Sequence, residues 1–420
     1  MTLDQRRAAE LAPSRAVAAL RSAAPLAVGL GLALALHLGL DASDLPFHTK
    51  VLVDVGINVI LAVSLTMVNG FTGQFSVGHA AFMAVGGYTA GALTYYSSLL
   101  LWDSGDQHGG FLGAGEWLFV GSCIVGGLVA AAAGYVVGLP SLRLRGDYLA
   151  IVTLGFGEIV RVILQQTGNV KFTADEVREA GFLDTATSLG GALGFTGVPT
   201  YSSIFWVYAF VAITLLVAHR LKFSTYGRAF LSIREDEIAA EAMGVRTTRY
   251  KVLAFVLAAG FAGIAGGMFA HQSGATLNPR ELGFQKSFDV VTMVVLGGMG
   301  SISGAVAAAA ILTILPELLR DLPHVWPAGV LVLALGLAFG GPKRARFALW
   351  TVGVTAAIEA IRFGARRLGV NLADYRLIFY ALSLILMMIL RPQGIFGVRE
   401  AWEIGPIGRI LARRARRAAP

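Results

Sequence analysis

Cysteine occurs once in the 420 residues, at position 123. A lone thiol excludes a disulfide framework and any CxxC redox or zinc site. Charge is the next scarcity: Asp, Glu, Lys and Arg together make up 14% of the chain, where soluble proteins carry roughly 25%. Acidic side chains are the rarer sign, 26 against 34 basic, and apolar residues reach 55%. Such a chain cannot cover itself with solvated groups, so its solvent is a bilayer.

Catalytic patterns are missing as well. No GxxxxGK[ST] phosphate loop, HExxH or GxSxG occurs, and each of these encodes a specific geometry that nucleotide hydrolysis, zinc proteolysis or acyl transfer needs. His37, His79, His219 and His271 are scattered through separate apolar runs or their ends, with no carboxylates at metal spacing. The sequence therefore predicts no catalytic residue, no metal site and no cofactor in this chain.

What is present is a series of apolar runs. A helix needs about 20 mostly apolar residues to cross a hydrocarbon core about 30 Å thick. Runs of that kind lie at 26–40, 51–69, 80–101, 117–139, 148–166, 201–219, 251–272, 286–299, 302–319, 326–341, 347–363 and 377–391, and the pair within 286–319 also reads as one long or broken helix. The expected fold is an all-α polytopic membrane protein of about 10 to 12 helices. If both termini face the cytoplasm, the inner segments 1–25, 139–147, 220–251, 341–346 and 391–420 hold 23 of the 34 Lys and Arg residues. That bias follows the positive-inside rule, and it turns the net charge of +8 from a hint of nucleic-acid binding into a statement of orientation. Arg6, Arg7, Arg15 and Arg21 before an apolar stretch also resemble a signal peptide, but no small-residue cleavage site precedes a soluble domain, so an anchored first helix is expected.

Three interruptions stand out. The inner segment 220–251 contains a predicted short helix at 234–243: Glu235, Asp236 and Glu237 suit a helix N-terminus and Gly244 a stop. Ile238, Ala239, Ala242 and Met243 form one narrow apolar face, which either lies on the bundle or docks into a groove of another protein. Within the apolar runs, 69–82 brings Gly70, Gly73 and Gly78 together with Asn69, Gln74, Phe75, Ser76 and His79, and 294–306 brings Gly297, Gly298, Gly300, Ser301, Ser303 and Gly304. Irregular backbone at membrane depth is tolerated only where protein buries it or a cavity is lined by it, and paired interruptions mark a pathway in transporters. Both stretches are candidate pathway segments. The competing reading is close helix packing, for which small-xxx-small spacings occur at Gly87/Gly91, Gly134/Gly138, Gly263/Gly267 and Gly300/Gly304. Asp54, Glu158, Asp289 and Glu359 fall inside spans, where a charge costs at least about 2.5–3.5 kcal/mol unless paired or facing the interior. Glu158 with Arg161 and Glu359 with Arg362 have the three-residue spacing of helix-surface pairs.

Five stretches, "GQFSVGHAAFMAVGGYTA" at 73–90, "LPSLRLRGDYLAIVTLGFGEIVR" at 139–161, "GRAFLSIREDEIAAEAMGVRTTRYKVLAF" at 227–255, "FDVVTMVVLGGMGSISGAV" at 288–306 and "YRLIFYALSLILMMILRPQGIFG" at 375–397, closely resemble the LivM type of branched-chain amino-acid ABC transporter permease. The resemblance implies a permease subunit of a bacterial inner membrane that pairs with a homologous LivH-type permease. It also implies two ATPase subunits that carry ATP and Mg, and an extracytoplasmic substrate-binding protein. Similar permeases carry urea and short amides, and an ion-coupled carrier or channel using Glu158 or Asp289 is the rival of another class. The resemblance further makes 220–251 the segment contacting the ATPase, with Ala239, Ala240 and Gly244 at its core and Arg234, Glu235, Asp236 and Glu241 around them. Ile238 stands where the wider importer motif often has Glu. Asn69, Gln74, Phe75, Ser76, His79, Gly297, Gly298, Gly300 and Ser301 are the pathway candidates. The chain then divides into a basic segment 1–25, a permease domain over 26–322 and 375–397, an inserted two-helix hairpin at 323–374 that the family lacks, and a basic tail at 398–420.

Overall fold

In hydrocarbon the backbone has no water to bond, so apolar runs of this length must satisfy their N–H and C=O groups internally, as helices. The computed structural model describes residues 15–41, 46–142, 148–272 and 276–321, with the single positions Val352, Gly353, Ala356, Ile385, Gly394, Gly397 and Glu400. Among these residues the backbone is helical apart from turns and one antiparallel bridge between Phe195 and Leu277. The helices are α1 (Arg15–Asp41), α2 (Pro46–Leu65), α3 (His79–Trp102), α4 (Ala114–Ser141), α5 (Tyr148–Gln165), α6 (Ala174–Glu179), α7 (Phe182–Thr187), α8 (Ile204–Lys222), α9 (Thr225–Glu235), α10 (Glu237–Ala242), α11 (Thr247–Ala270), α12 (Phe284–Gly297) and α13 (Ile302–Asp321). Every span expected between 26 and 319 is occupied by one of them, and the pair within 286–319 is two helices. Five helical stretches, Phe47–Phe71, Ala114–Ser141, Tyr148–Gln165, Ile204–Lys222 and Thr247–Ala270, are long and apolar enough to cross a membrane. The expected spans at 326–391, the hairpin 323–374 and the Glu359/Arg362 pair lie outside the described residues.

Packing follows the glycines. A Cβ on Gly86 of α3 would stand 2.2 Å from the Gly263 Cα of α11, one on Gly266 would stand 1.9 Å from the Met83 carbonyl oxygen, and one on Gly126 of α4 would stand 2.5 Å from the Gly86 carbonyl oxygen. Three helices thus meet backbone to backbone, the close approach that small residues permit where no hydrophobic effect drives association. Helix α2 forms the axis: 83% of its apolar stretch is buried, against 17% in α5. The segment between α5 and α8 closes the end of the bundle remote from α10. It is held there by Tyr96 donating to the Ser188 carbonyl and by the bridge from Phe195 to Leu277, whose carbonyl also accepts from the Tyr88 hydroxyl. The Glu116 carboxylate at the same end accepts from the Trp206 indole at 2.8 Å and from the Leu112 amide at 2.8 Å.

Candidate functional site

The first interruption is shorter than the sequence suggested. Helix α2 widens into a π-helical stretch at Thr66–Phe71, and only 72–78 is unwound before α3 begins at His79. The hydroxyls of Thr66 and Thr72 donate to the carbonyls of Ala62 and Val68, both at 2.8 Å, which gives carbonyls at the widened turn a donor. Asn69 holds the loop closed: its Oδ1 accepts from the Ser76 amide at 3.1 Å and its Nδ2 donates to the Ser76 carbonyl at 3.4 Å. His79 hydrogen-bonds the Ser64 hydroxyl at 2.9 Å, tying the start of α3 to α2. Gly78 has no side chain to cap α3, and the Ser287 hydroxyl of α12 accepts from the Ala80 amide instead, at 3.0 Å. Asn69, Ser76 and His79 are therefore buried and engaged in holding the break, whereas Phe75 is exposed and Gln74 half-buried.

The second interruption is also tight. Helix α12 ends at Gly297, α13 begins at Ile302, and the chain turns through Gly298 and Gly300 at φ +108° and +101°, values that suit glycine alone. A Cβ on Gly297 would meet the Gly304 carbonyl carbon at 2.4 Å, so the two helices touch as they diverge. The Ser301 hydroxyl accepts from the Gly304 amide at 3.0 Å and caps α13.

The two breaks lie against each other. A Cβ on Gly70 would stand 2.7 Å from the Gly300 nitrogen. They meet at the end of the bundle that carries 220–251, and that segment reaches them through one side chain. The guanidinium of Arg234, on the last turn of α9, donates to the Gly70 carbonyl at 2.8 Å. The same guanidinium closes over Gly300, whose ideal Cβ would be 2.6 Å from Nη1.

The expected helix at 234–243 is in fact two. Asp236 adopts an extended conformation, ending α9, and its Oδ1 accepts from the amides of Ile238 and Ala239 at 2.9 and 3.0 Å, starting α10. An aspartate with this capping geometry competes with continuation of the helix. Gly244 stops α10 at φ +86°, as its residue type suggested. Lys251 of α11 pairs with Glu237 and fixes α10 to the bundle, with Ala240 as the buried contact. Ile238 and Met243 are 65% and 85% exposed, and Ala239 and Ala242 are exposed beside them, so the narrow apolar face points outward. Of the residues assigned to coupling, Arg234 faces the breaks, Ala240 faces the bundle, and Glu235, Asp236, Ile238, Ala239, Glu241 and Gly244 are at the surface.

Glu400 went unnoticed in the sequence because it sits within a basic tail. It is 1% exposed and seated at the N-terminus of α13. Its carboxylate accepts from the Ile302 and Ser303 amides, both at 3.0 Å, and from the Ser303 hydroxyl at 2.7 Å, and it pairs with Lys222. Lys222 also donates to the Gly300 carbonyl at 2.7 Å. An anion at a helix N-terminus meets both the free amides and the positive end of the helix dipole. Gly394 and Gly397 lie in close contact with Gly298, so these two glycines and Glu400 sit against the second break. Burial alone would raise the Glu400 pKa, but Lys222 and the Ser303 and Ile302 donors outweigh it and hold it below the ordinary carboxylate value. A depressed folded value means that the carboxylate stabilises the fold above the ordinary carboxylate range, and that this stability disappears as pH falls through the folded value. Glu400→Gln is expected to cost about 1.5–3 kcal/mol, the usual worth of hydrogen bonds to a charged group. The mutant's melting temperature in detergent should fall at neutral pH and approach that of the unaltered protein in acid.

Glu158 and Arg161 pair at 2.7 Å, with Arg161 also donating to Gln165 at 3.1 Å. Glu158 is thereby a partnered group on the surface of α5. No group of His, Cys, Asp and Glu that could hold a metal occurs among the described residues.

Residues 48–340 match the family described as the permease component of branched-chain amino acid transport systems. The high-affinity branched-chain amino acid transport permease LivM of Salmonella typhimurium is 38% identical over 63% of this chain and 62% of its own length. LivM of Escherichia coli is 36% identical over the same shares. LivH of Escherichia coli is 26% identical over 61% of this chain and 79% of its own length. The matched part of the chain thus spans less than two thirds of the LivM proteins. No solved structure matches the chain. With two glycine breaks meeting beneath a short surface helix, and with the family match extending over most of the described bundle, the chain belongs to the family of branched-chain amino acid transport permeases.

Proposed function

We propose that the chain is the membrane-spanning subunit of an ATP-driven importer of branched-chain amino acids. In this reading it sits in the inner membrane of a bacterium with both termini in the cytoplasm, and forms half of the translocation pathway beside a LivH-type permease. Two ATPase subunits dock on the cytoplasmic end and carry the ATP and magnesium, and an extracytoplasmic binding protein selects the substrate. The chain itself catalyses nothing.

The observation that carries this reading is the position of Arg234. On one side of it lies α10, whose outward apolar face is what a groove on another protein would receive. On the other lie Gly70 and Gly300, where the two breaks touch. Movement of the docked α9–α10 corner, driven by ATP binding in the partner, is delivered by this side chain to both breaks at once. Helices α2 and α12, which end at those breaks, then change their tilt and open the pathway to the other side of the membrane. The substrate class rests on the LivM relatives.

Uptake of labelled leucine and labelled urea in matched strains with and without this chain tests the reading. Loss of ATP-dependent leucine uptake is the expected result. Unchanged leucine uptake overturns it, and loss of urea uptake alone transfers the chain to the amide branch.

A further inference from the structure

A second polar cluster lies away from the breaks, deep between the helices that lead to them. Lys286 of α12 donates from Nζ to Asn58 Oδ1 of α2 at 3.0 Å, and the Asn58 amide donates in turn to Thr313 of α13 at 2.9 Å. One turn above Asn58, Asp54 accepts from the Gln272 amide at 2.9 Å. Asp289 stands one turn along α12 from Lys286, within its electrostatic reach. Lys286 opens the apolar run 286–299, and its contact with Asn58 puts it halfway down α2. Measured along the helices at 1.5 Å per residue, Lys286 is about 16 Å from Gly297 and Asn58 about 18 Å from Gly70. Asn58 lies midway along Phe47–Phe71, a stretch long and apolar enough to cross a membrane, which sets the cluster near the middle of a hydrocarbon core about 30 Å thick.

Its bonding capacity is far from filled. An ammonium has three donors, and Asn58 takes one; no other hydrogen-bond partner for Lys286 is present among the described residues. Asp289 has neither a hydrogen bond nor an ion pair among them, although both side chains are half-buried. Lipid does not support such vacancies, so charged groups at this depth face a water-filled route or meet a partner. Here the vacancies have opposite signs and stand on one helix face a turn apart.

We infer that Lys286 and Asp289 form a mid-membrane station for a zwitterionic amino acid, Lys286 receiving its carboxylate and Asp289 its ammonium. The inference rests on the amino-acid importer reading above and adds the site to it. A zwitterion brings one acceptor group and one donor group, which matches the two charged side chains in sign, and each contact is a charge-assisted hydrogen bond. Asn58 holds the Lys286 ammonium in place, Gln272 holds Asp54 as the flanking negative charge, and the aliphatic part of the substrate is left to the apolar helix walls.

The test uses the complete complex, reconstituted with its ATPases, second permease and binding protein in vesicles, with labelled leucine as the probe. Lys286→Gln and Asp289→Asn should each lower leucine uptake per ATP hydrolysed at least tenfold. Complex assembly and the ATPase stimulation by loaded binding protein should stay within twofold, and Lys286→Arg and Asp289→Glu should keep most of the uptake. Unchanged uptake overturns the site. Uptake and ATP hydrolysis falling together would make the residues structural, and loss of the second permease from the purified complex would make them a subunit contact; either result overturns the site too. If the unsubstituted complex does not carry leucine, the importer reading itself fails, before any substitution is compared.

Discussion

Arg234→Ala is expected to lower ATP-coupled uptake by tenfold or more while the protein still accumulates in the membrane. The side chain makes one charge-assisted hydrogen bond to the Gly70 carbonyl and spans the gap from α9 to Gly300. A bond of this kind contributes about 1.5–3 kcal/mol, and each 1.36 kcal/mol in a barrier is tenfold in rate. Folding should suffer less than transport, because Phe230 and Ile233, at 0% and 4% exposure, remain to pack α9 on the bundle. Arg234→Lys keeps the charge and loses the planar fork that reaches across both breaks, so it should restore only part of the activity. The decisive measurement is the ratio of substrate carried to ATP hydrolysed in the reconstituted complex. A ratio equal to that of the unaltered protein removes Arg234 from the coupling route.

The largest effect on the fold is expected from Gly86→Val. Its Cβ would lie 2.2 Å from one backbone atom of Gly263 and 2.4 Å from another. No flexible side chain is present there to yield, so α3 and α11 must separate. Overpacking in a core ordinarily costs about 1–3 kcal/mol and sometimes more. Here the separation would also strip the contact of Gly126 with the Gly86 carbonyl, and three helices would lose their seam together. Membrane accumulation should drop to a small fraction of normal. Gly121→Ala is the control, since nothing lies within 4 Å of a Cβ at that position of α4; it should accumulate normally. Equal amounts of the two variants in purified membranes would refute the backbone seam.

Much of this protein is legible residue by residue. Long apolar runs forced helices, and the helices of the described bundle fall where those runs lie. Gly244, Glu235 and Asp236 announced a short surface helix, though not that Asp236 would divide it, because a side chain that caps the next helix reads the same as one opening a longer helix. Gly300 and Gly70 were recognisable as breaks but not as neighbours. Glu400 was hidden by the arginines around it: the sequence reports average charge, whereas its role depends on Lys222 and the α13 amides being within reach. The small-xxx-small spacings identified Gly263 and Gly267 but passed over Gly86, Gly126 and Gly266, since which face of a helix meets its neighbour depends on the crossing, not the spacing.

Scarcity of charge and long apolar runs by themselves determined a helical membrane protein, because burial of backbone in lipid admits so few solutions. Only the tertiary structure decided that residues 164 positions apart, Arg234 and Gly70, share a hydrogen bond. The same holds for Lys286, which the fold stands against Asn58, 228 positions away in the chain. The reason is common to both. Local sequence sets which groups a helix must hide or satisfy, while the partner that satisfies them is chosen by how helices distant in the chain cross.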